Sequence, residues 1–180
     1  MDDIKRNLDL YYYNIDHQNK VKSEEVSKWI HTSREYDVIS DVNCKNRDSQ
    51  KRHPSIIQSR TIYVIDYGKN VGKEFDDLHL GLVISNNGSN LFGDTVVVLP
   101  ITDFKSSKQY NSHIHHKIWN TYFDSVEKSG LDKNPSKVKI ADIVTIDKAR
   151  IKRKVGVLNE RTYKTIMKKL YDFLDNPLDK

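Results

Sequence analysis

The chain has a single cysteine, Cys44, in 180 residues. That excludes an intramolecular disulfide framework and any zinc site built on paired cysteines, and it suits a reducing compartment, so a cytoplasmic location is expected. Long apolar runs are missing as well. No stretch reaches the roughly 18 consecutive apolar residues of a membrane span, and the opening "MDDIKRNLDLYYYNID" has no apolar core of signal-peptide length. The expectation is a protein that neither enters a membrane nor is exported. Internal repeats and low-complexity tracts are also absent. What is present is 37% hydrophobic and 31% charged, with the apolar residues gathered into periodic segments, a balance that suits one folded domain plus an extension.

The net charge of +5 understates an asymmetry. Lysine and arginine crowd the stretch from Lys133 to Lys169, while residues 61 to 132 are slightly acidic. Such a distribution is the electrostatic footprint of a polyanion-binding side; it is also what a solvated, lysine-rich face looks like.

Residues 1–58 are polar and turn-rich, with one periodic segment. In "SEEVSKWIHTSRE" Ser23 is a candidate N-cap followed by two carboxylates, and Val26, Trp29 and Ile30 form a short apolar stripe at helical spacing. "NCKNRDSQKRHPS" then reads as a basic linker, and a boundary is expected near Gln58, leaving 59–177 as the main domain. From Thr61 the period becomes that of strands. "TIYVIDYG", "LGLVIS" and "DTVVVLPIT" predict a three-stranded meander, with "NNGSNLFG" as the turn between the last two and Asn87-Gly88 its strongest signal. "HIHHKIW" predicts a fourth strand; "SKVKIADIVTIDKARI" a strand and a short turn or 3₁₀ segment, with a break around Ala141-Asp142; "KVGVL" a last strand. Asn159 caps a helix whose Tyr163, Ile166, Met167, Leu170, Phe173 and Leu174 recur at i, i+3, i+4 and i+7, a stripe fit to cover a sheet. Short strands, tight turns and a terminal helix predict an α+β, mainly β fold built on a small, curled antiparallel barrel.

Three segments in this order, followed by a C-terminal helix, resemble the MazF/PemK family of toxins from toxin-antitoxin modules, ribonucleases on an SH3-like barrel. "IYVIDYGKNVGKEFDDLHLGLVISNN" is similar to the family's opening, with Gly72-Lys73-Glu74 as its G-x-E loop; "DTVVVLPIT" to its T-V-x-V-x-P/A-I-T strand; "IADIVTIDKARIKRKVGVL" to its I-x-T-I-D-K segment. The resemblance runs from residue 60 to about 174. It implies a homodimeric endoribonuclease that cuts single-stranded RNA through the 2′-hydroxyl without a metal or cofactor, and a cognate antitoxin protein as partner. A catalytically inert barrel that binds RNA or a protein, with a regulatory use of the extension, is the principal alternative; a third possibility is that the extension, with Arg34, Arg47, Arg52 and His53, supplies the missing chemistry or guards the groove.

The family's catalytic arginine and threonine align with His79, a departure, and Thr102, a match. A histidine titrates near neutrality and can act as base or acid, so His79 is a sensible substitute, with Asp76 or Asp77 placed to orient it. Thr102 would donate to a phosphate oxygen. Lys73, Glu74, Asn86, His113, His115, Lys152, Arg153 and Lys154 are the candidates for substrate binding, the three basic residues as phosphate contacts. His113 and His115 share one face of the expected strand and either matches a family histidine; two histidines with no third ligand predict no metal site. Trp119 and Tyr122 are placed either to stack bases or to fill the barrel's edge.

Overall fold

The computed structural model describes residues 5, 6, 9, 20–45, 56–70, 74–127, 130, 131 and 133–175. Helix α1 spans Lys20–Lys45. Strands β1 (Thr61–Asp66), β2 (Leu78–Val83) and β3 (Thr95–Asp103) form the expected meander, antiparallel throughout. A short helix α2 (Asn87–Phe92) joins β2 to β3. Strands β4 (His115–Ile118), β5 (Phe123–Val126), β6 (Ser136–Lys139), β7 (Val144–Asp147) and β8 (Ile151–Leu158) follow, then helix α3 (Glu160–Leu174). The order across the sheet is β4-β6-β3-β2-β1-β8-β5. β3 is shared along its length: Thr95 to Val98 pair with β7, Ile101 to Asp103 with β6. The sheet curls into a half-barrel with a helix at each end of the chain.

Alternation along the central strands fills two cores. One face carries Ile62, Leu82, Leu99, Ile101 and Val138 against Ile166 and Leu170 of α3; the other carries Tyr63, Ile65, Val83, Val98, Ile146 and Ile151. The α3 stripe is shorter than its periodicity predicts. Phe173 and Leu174 are exposed, because the last turn runs beyond the sheet. Asn159 caps this helix through Thr162 N–H at 2.8 Å, as its position predicts.

Three local expectations need correction. α1 begins before Ser23, which is therefore inside the helix and not its cap, and continues to Lys45 through what reads as the start of a linker. Its length is set by tertiary contacts more than by propensity: the Tyr36 hydroxyl donates to Asp66 Oδ2 at 2.6 Å, the Ser40 hydroxyl to Asp147 Oδ2 at 2.6 Å, and Trp29 lies against Gly68 and Arg150. The buried side follows Trp29, Ser33, Tyr36 and Ser40, and Ile30 faces outward. Second, Asn87-Gly88 is not a hairpin turn but the first turn of α2, capped by Asn86, whose Oδ1 accepts from Ser89 N–H. Third, two strands have no counterpart in the sequence reading: β5, since "FDSV" is a short edge strand with three exposed residues, and β7, which pairs with the first half of β3 and precedes the 3₁₀ turn at Lys148–Arg150. Residues 46–55, with Arg47, Arg52 and His53, lie outside the described residues. No helix among those described is long and apolar enough to cross a membrane.

Ile166 is fully buried while Phe173 is 41% exposed. Ile166→Ala is expected to cost about 2–5 kcal/mol of unfolding free energy in a denaturant titration, against roughly 0.5 kcal/mol or less for Phe173→Ala; equal losses would contradict this account of α3.

Candidate functional site

His79 is the second residue of β2, opposite Ile65 of β1. The register Leu80↔Ile101 between β2 and β3, continued by one residue, sets Thr102 beside His79 on its other flank. Directly opposed residues in an antiparallel pair stand on the same face, so the two sequence-predicted catalytic residues share one surface, both half-buried. The His79 ring meets Phe75 edge-on at 5.1 Å between centroids, and Tyr67 at 6.4 Å. Tyr67 fits because Gly81 has no side chain: a Cβ there would come within 2.7 Å of the Tyr67 Oη.

Beside this pair runs a groove of about 740 Å³ lined by Tyr67, Glu74, Phe75, Pro100, Lys139 and Arg150, among others. Glu74 is on its exposed rim. Lys139 lies over the Phe75 ring at 4.8 Å and is ion-paired with Asp142. Of the two aspartates expected to orient His79, Asp77 is engaged elsewhere. Asp77 has a left-handed backbone, φ 57°, and binds Lys69 at 2.6 Å, which also holds Glu25 of α1. It is part of the helix seat.

The histidine-rich segment places His113 and His115 differently. His113 is exposed in the turn before β4, its N–H bonded to Asn111 Oδ1, so the two do not share a strand face. His115 is 8% exposed and opposite Lys139. Its Nδ1 accepts the Asn111 N–H at 3.0 Å, which fixes the neutral ring with its proton on Nε2. Burial first, and then Lys137 and Lys139, lower its pKa, in agreement with that tautomer. His116 points to the α3 side; burial, then Lys169, lower its pKa to about 4. Trp119 and Tyr122 pack against each other at 5.1 Å, and Tyr122 against the first core, which favours edge filling.

Other candidates stand apart from His79. Asn86 is three residues beyond the far end of β2, engaged as a cap. Lys152, Arg153 and Lys154 are exposed on β8, and the Lys152 ammonium lies 4.4 Å above the Tyr36 ring, beneath α1. Arg150 donates through Nε to the Asp66 carbonyl at 2.7 Å. Lys73 lies outside the described residues. The positive charge on the face of His79 and Thr102 comes instead from Lys137, opposite Thr102, with Lys117 one strand further and Lys139 two residues along β6. The sequence reading missed them, although the alternation Lys137-Val138-Lys139 carries the strand signal that sets both lysines on one face. Among the described residues no group of three His, Cys, Asp or Glu side chains converges to hold a metal ion.

Fold and surface together define a curled half-barrel with a basic face next to a groove. Residues 58–174 match the family described as "PemK-like, MazF-like toxin of type II toxin-antitoxin system", and the chain belongs to that family. Among solved structures it is similar to MazF (Form-I) from Deinococcus radiodurans, at 14% identity over 67% of this chain and 97% of that one, TM-score 0.52. It is also similar to an endoribonuclease in complex with its cognate antitoxin from Mycobacterial species (19% identity, 67% and 97% covered, TM-score 0.49) and to Mycobacterium tuberculosis toxin MazF-mt6 (17%, 64% and 97%, 0.48). At such identities the likeness is one of fold. A comparison with curated proteins finds no match. Residues 1–57, which include α1, lie outside the family match.

The His116 shift gives a pH dependence with a definite sign. The unfolded ring takes up its proton near the ordinary pKa of about 6.5, whereas the folded ring does so only at about 4. The stability it contributes is full above the unfolded value and is lost as pH falls from there to the folded value. The melting temperature of His116→Gln is expected to fall less steeply than that of the wild type across that window; parallel curves would show that His116 titrates normally.

Proposed function

We propose that the chain is an endoribonuclease toxin that cuts single-stranded RNA in the cytoplasm and is neutralised by a cognate antitoxin protein. The observation that carries this reading is the side-by-side position of His79 and Thr102 on a lysine-bearing face, in a chain of the toxin family. In the reaction, His79 takes the proton of a ribose 2′-hydroxyl, whose oxygen attacks the adjacent phosphorus. Thr102 donates to a non-bridging oxygen as charge develops there. The bond from phosphorus to the 5′ oxygen breaks, and that oxygen takes a proton from solvent. The products are a 2′,3′-cyclic phosphate and a 5′-hydroxyl end. No step uses a metal or a cofactor, the open groove suits unpaired RNA, and two copies act as a dimer. Residues 59–177 are the acting unit and residues 1–58 the extension.

One observation favours a second reading, an inert half-barrel that binds RNA or a protein without cutting: the His79 ring is packed edge-on against Phe75.

Long single-stranded RNA incubated with the protein in EDTA separates the two. Discrete cuts with cyclic-phosphate ends are expected, weakened by at least about 10²-fold in His79→Ala and about 10²-fold in Thr102→Ala, both variants keeping the wild-type circular dichroism spectrum. Intact RNA with the wild-type protein, or cutting that survives in His79→Ala, would remove His79 from the mechanism.

A further inference from the structure

The row that begins with His79 and Thr102 does not end there. Thr102 is opposite Lys137 of β6, and Lys137 is opposite Lys117 of β4. Four neighbouring strands therefore present His79, Thr102, Lys137 and Lys117 in one line on one face. Two of them are lysines directly opposed across a strand pair, an arrangement that destabilises a sheet by like-charge repulsion. Lys139, opposite His115, adds a third positive group two residues further along the same face of β6.

The partners of the two lysines are neutral. Lys137 is 8% exposed and donates to the Gln109 carbonyl at 3.1 Å. The Lys117 ammonium stands 4.0 Å from the centroid of Phe104 and 4.8 Å from that of Tyr110. Lys139 has Asp142, but among the described residues no carboxylate ion-pairs with Lys137 or Lys117. Burying a cation without a counter-charge is costly, and the fold here does so beside a second cation. Burial, and then Lys139, push the Lys137 pKa down, the direction that an arriving anion would reverse. The cluster has the composition of an anion site whose anion is not among the described residues.

We propose that Lys137 and Lys117 form a phosphate-binding pair for the backbone of single-stranded RNA, Lys137 contacting the phosphate that is cut and Lys117 the next phosphate along the strand. The proposal rests on the endoribonuclease reading above. Three interstrand steps separate His79 from Lys117, roughly 14 Å, too far for one phosphate to touch both ends of the row. Lys137 adjoins Thr102, so it faces the non-bridging oxygens to which Thr102 donates. Its bond to Gln109 uses one of three N–H donors and leaves two for phosphate oxygens. The rings of Phe104 and Tyr110 hold Lys117 in place without neutralising it.

Binding and cutting are measured separately. A fully 2′-O-methylated single-stranded RNA cannot be cut through its 2′-hydroxyl, and its affinity is followed over a salt series. The slope of log K against log salt is expected to shrink by about 0.7 in each of Lys137→Met and Lys117→Met, and to stay unchanged in Lys168→Met on the outer side of α3. On unmodified RNA at saturating protein, Lys137→Met should cut about 10²-fold more slowly, with Lys137→Arg recovering part of the rate. Lys117→Met should raise the concentration for half-maximal cutting and keep the rate. If Lys137→Met fails to fold, Lys117→Met and Lys137→Arg still decide. Unchanged slopes in both lysine variants, or no binding by the wild type, would overturn the proposal and leave the pair to an acidic protein partner. Wild-type protein that binds with the expected slopes but cuts nothing would overturn the endoribonuclease reading and leave the phosphate pair standing.

Discussion

Strand register is the constraint on which the site depends. Side chains alternate with a period of two, so a slip of one residue between β2 and β3 would bring Leu80 or Ile101 to the basic face and turn His79 or Thr102 into the apolar core. The register is held from both sides. Ile62, Leu82, Leu99 and Ile101 are sealed under α3, and Tyr63, Ile65, Val83 and Val98 fill the opposite core. A strand buried on both faces has no alternative pairing of comparable burial. Gly81 adds a steric lock, since only a residue without a Cβ admits the Tyr67 ring and the Ile65 side chain above it. Tyr67 then supports Phe75 at 5.6 Å, and Phe75 fixes the ring of His79. The position of one titratable side chain is thereby tied to the packing of the whole meander.

The second organising contact is the seat of α1. Gly68 has φ +78° and lies so close to Trp29 that a Cβ would come within 2.3 Å of the indole. Two hydroxyl-to-carboxylate bonds, Tyr36 to Asp66 and Ser40 to Asp147, continue the seat along the helix. Burial first, and the bond to Asp66 second, raise the Tyr36 pKa, so its hydroxyl remains a donor across the physiological range. The basic run that begins at Lys148 is partly consumed by this arrangement. Lys148 is buried, donating to the carbonyls of Asn90 and Gly93; Arg150 supports the end of β1; Lys152 faces Tyr36.

Much of the fold was legible because its signals are local. The meander follows from β-branched runs, α3 from its cap and stripe, and the break at Ala141-Asp142 from the interruption of alternation. What could not be read is what tertiary contact decides. The second half of α1 contains Val38, Ile39, Asp41 and Asn43, weak helix formers, and is helical where Tyr36 and Ser40 find carboxylates on distant strands. Asn87-Gly88 has hairpin chemistry, but Asn86 offers a better use of the same residues as a helix start. The site divided in the same way. His79 and Thr102 came from motif order, which fixes positions within strands. Lys117 and Lys137 are separated by 20 residues and meet only because β4 and β6 are paired, information no single segment contains. The emphasis on residues 152–154 followed charge density along the chain, whereas charge on the face depends on period and pairing.

β3 has three strand neighbours, and two of them, β6 and β7, come after it in the chain. β1 likewise waits for β8, with Thr61 paired to Val157. Contacts between such distant residues form late, after the entropy of closing long loops has been met. During synthesis, then, the meander emerges with His79 and Thr102 in place while β3 still lacks the partner that carries Lys137, and β1 keeps an open edge until the last strand arrives. A growing chain of this kind passes through a period as an incomplete sheet, and its basic face comes into being only when β6 joins β3 on one side and β4 on the other.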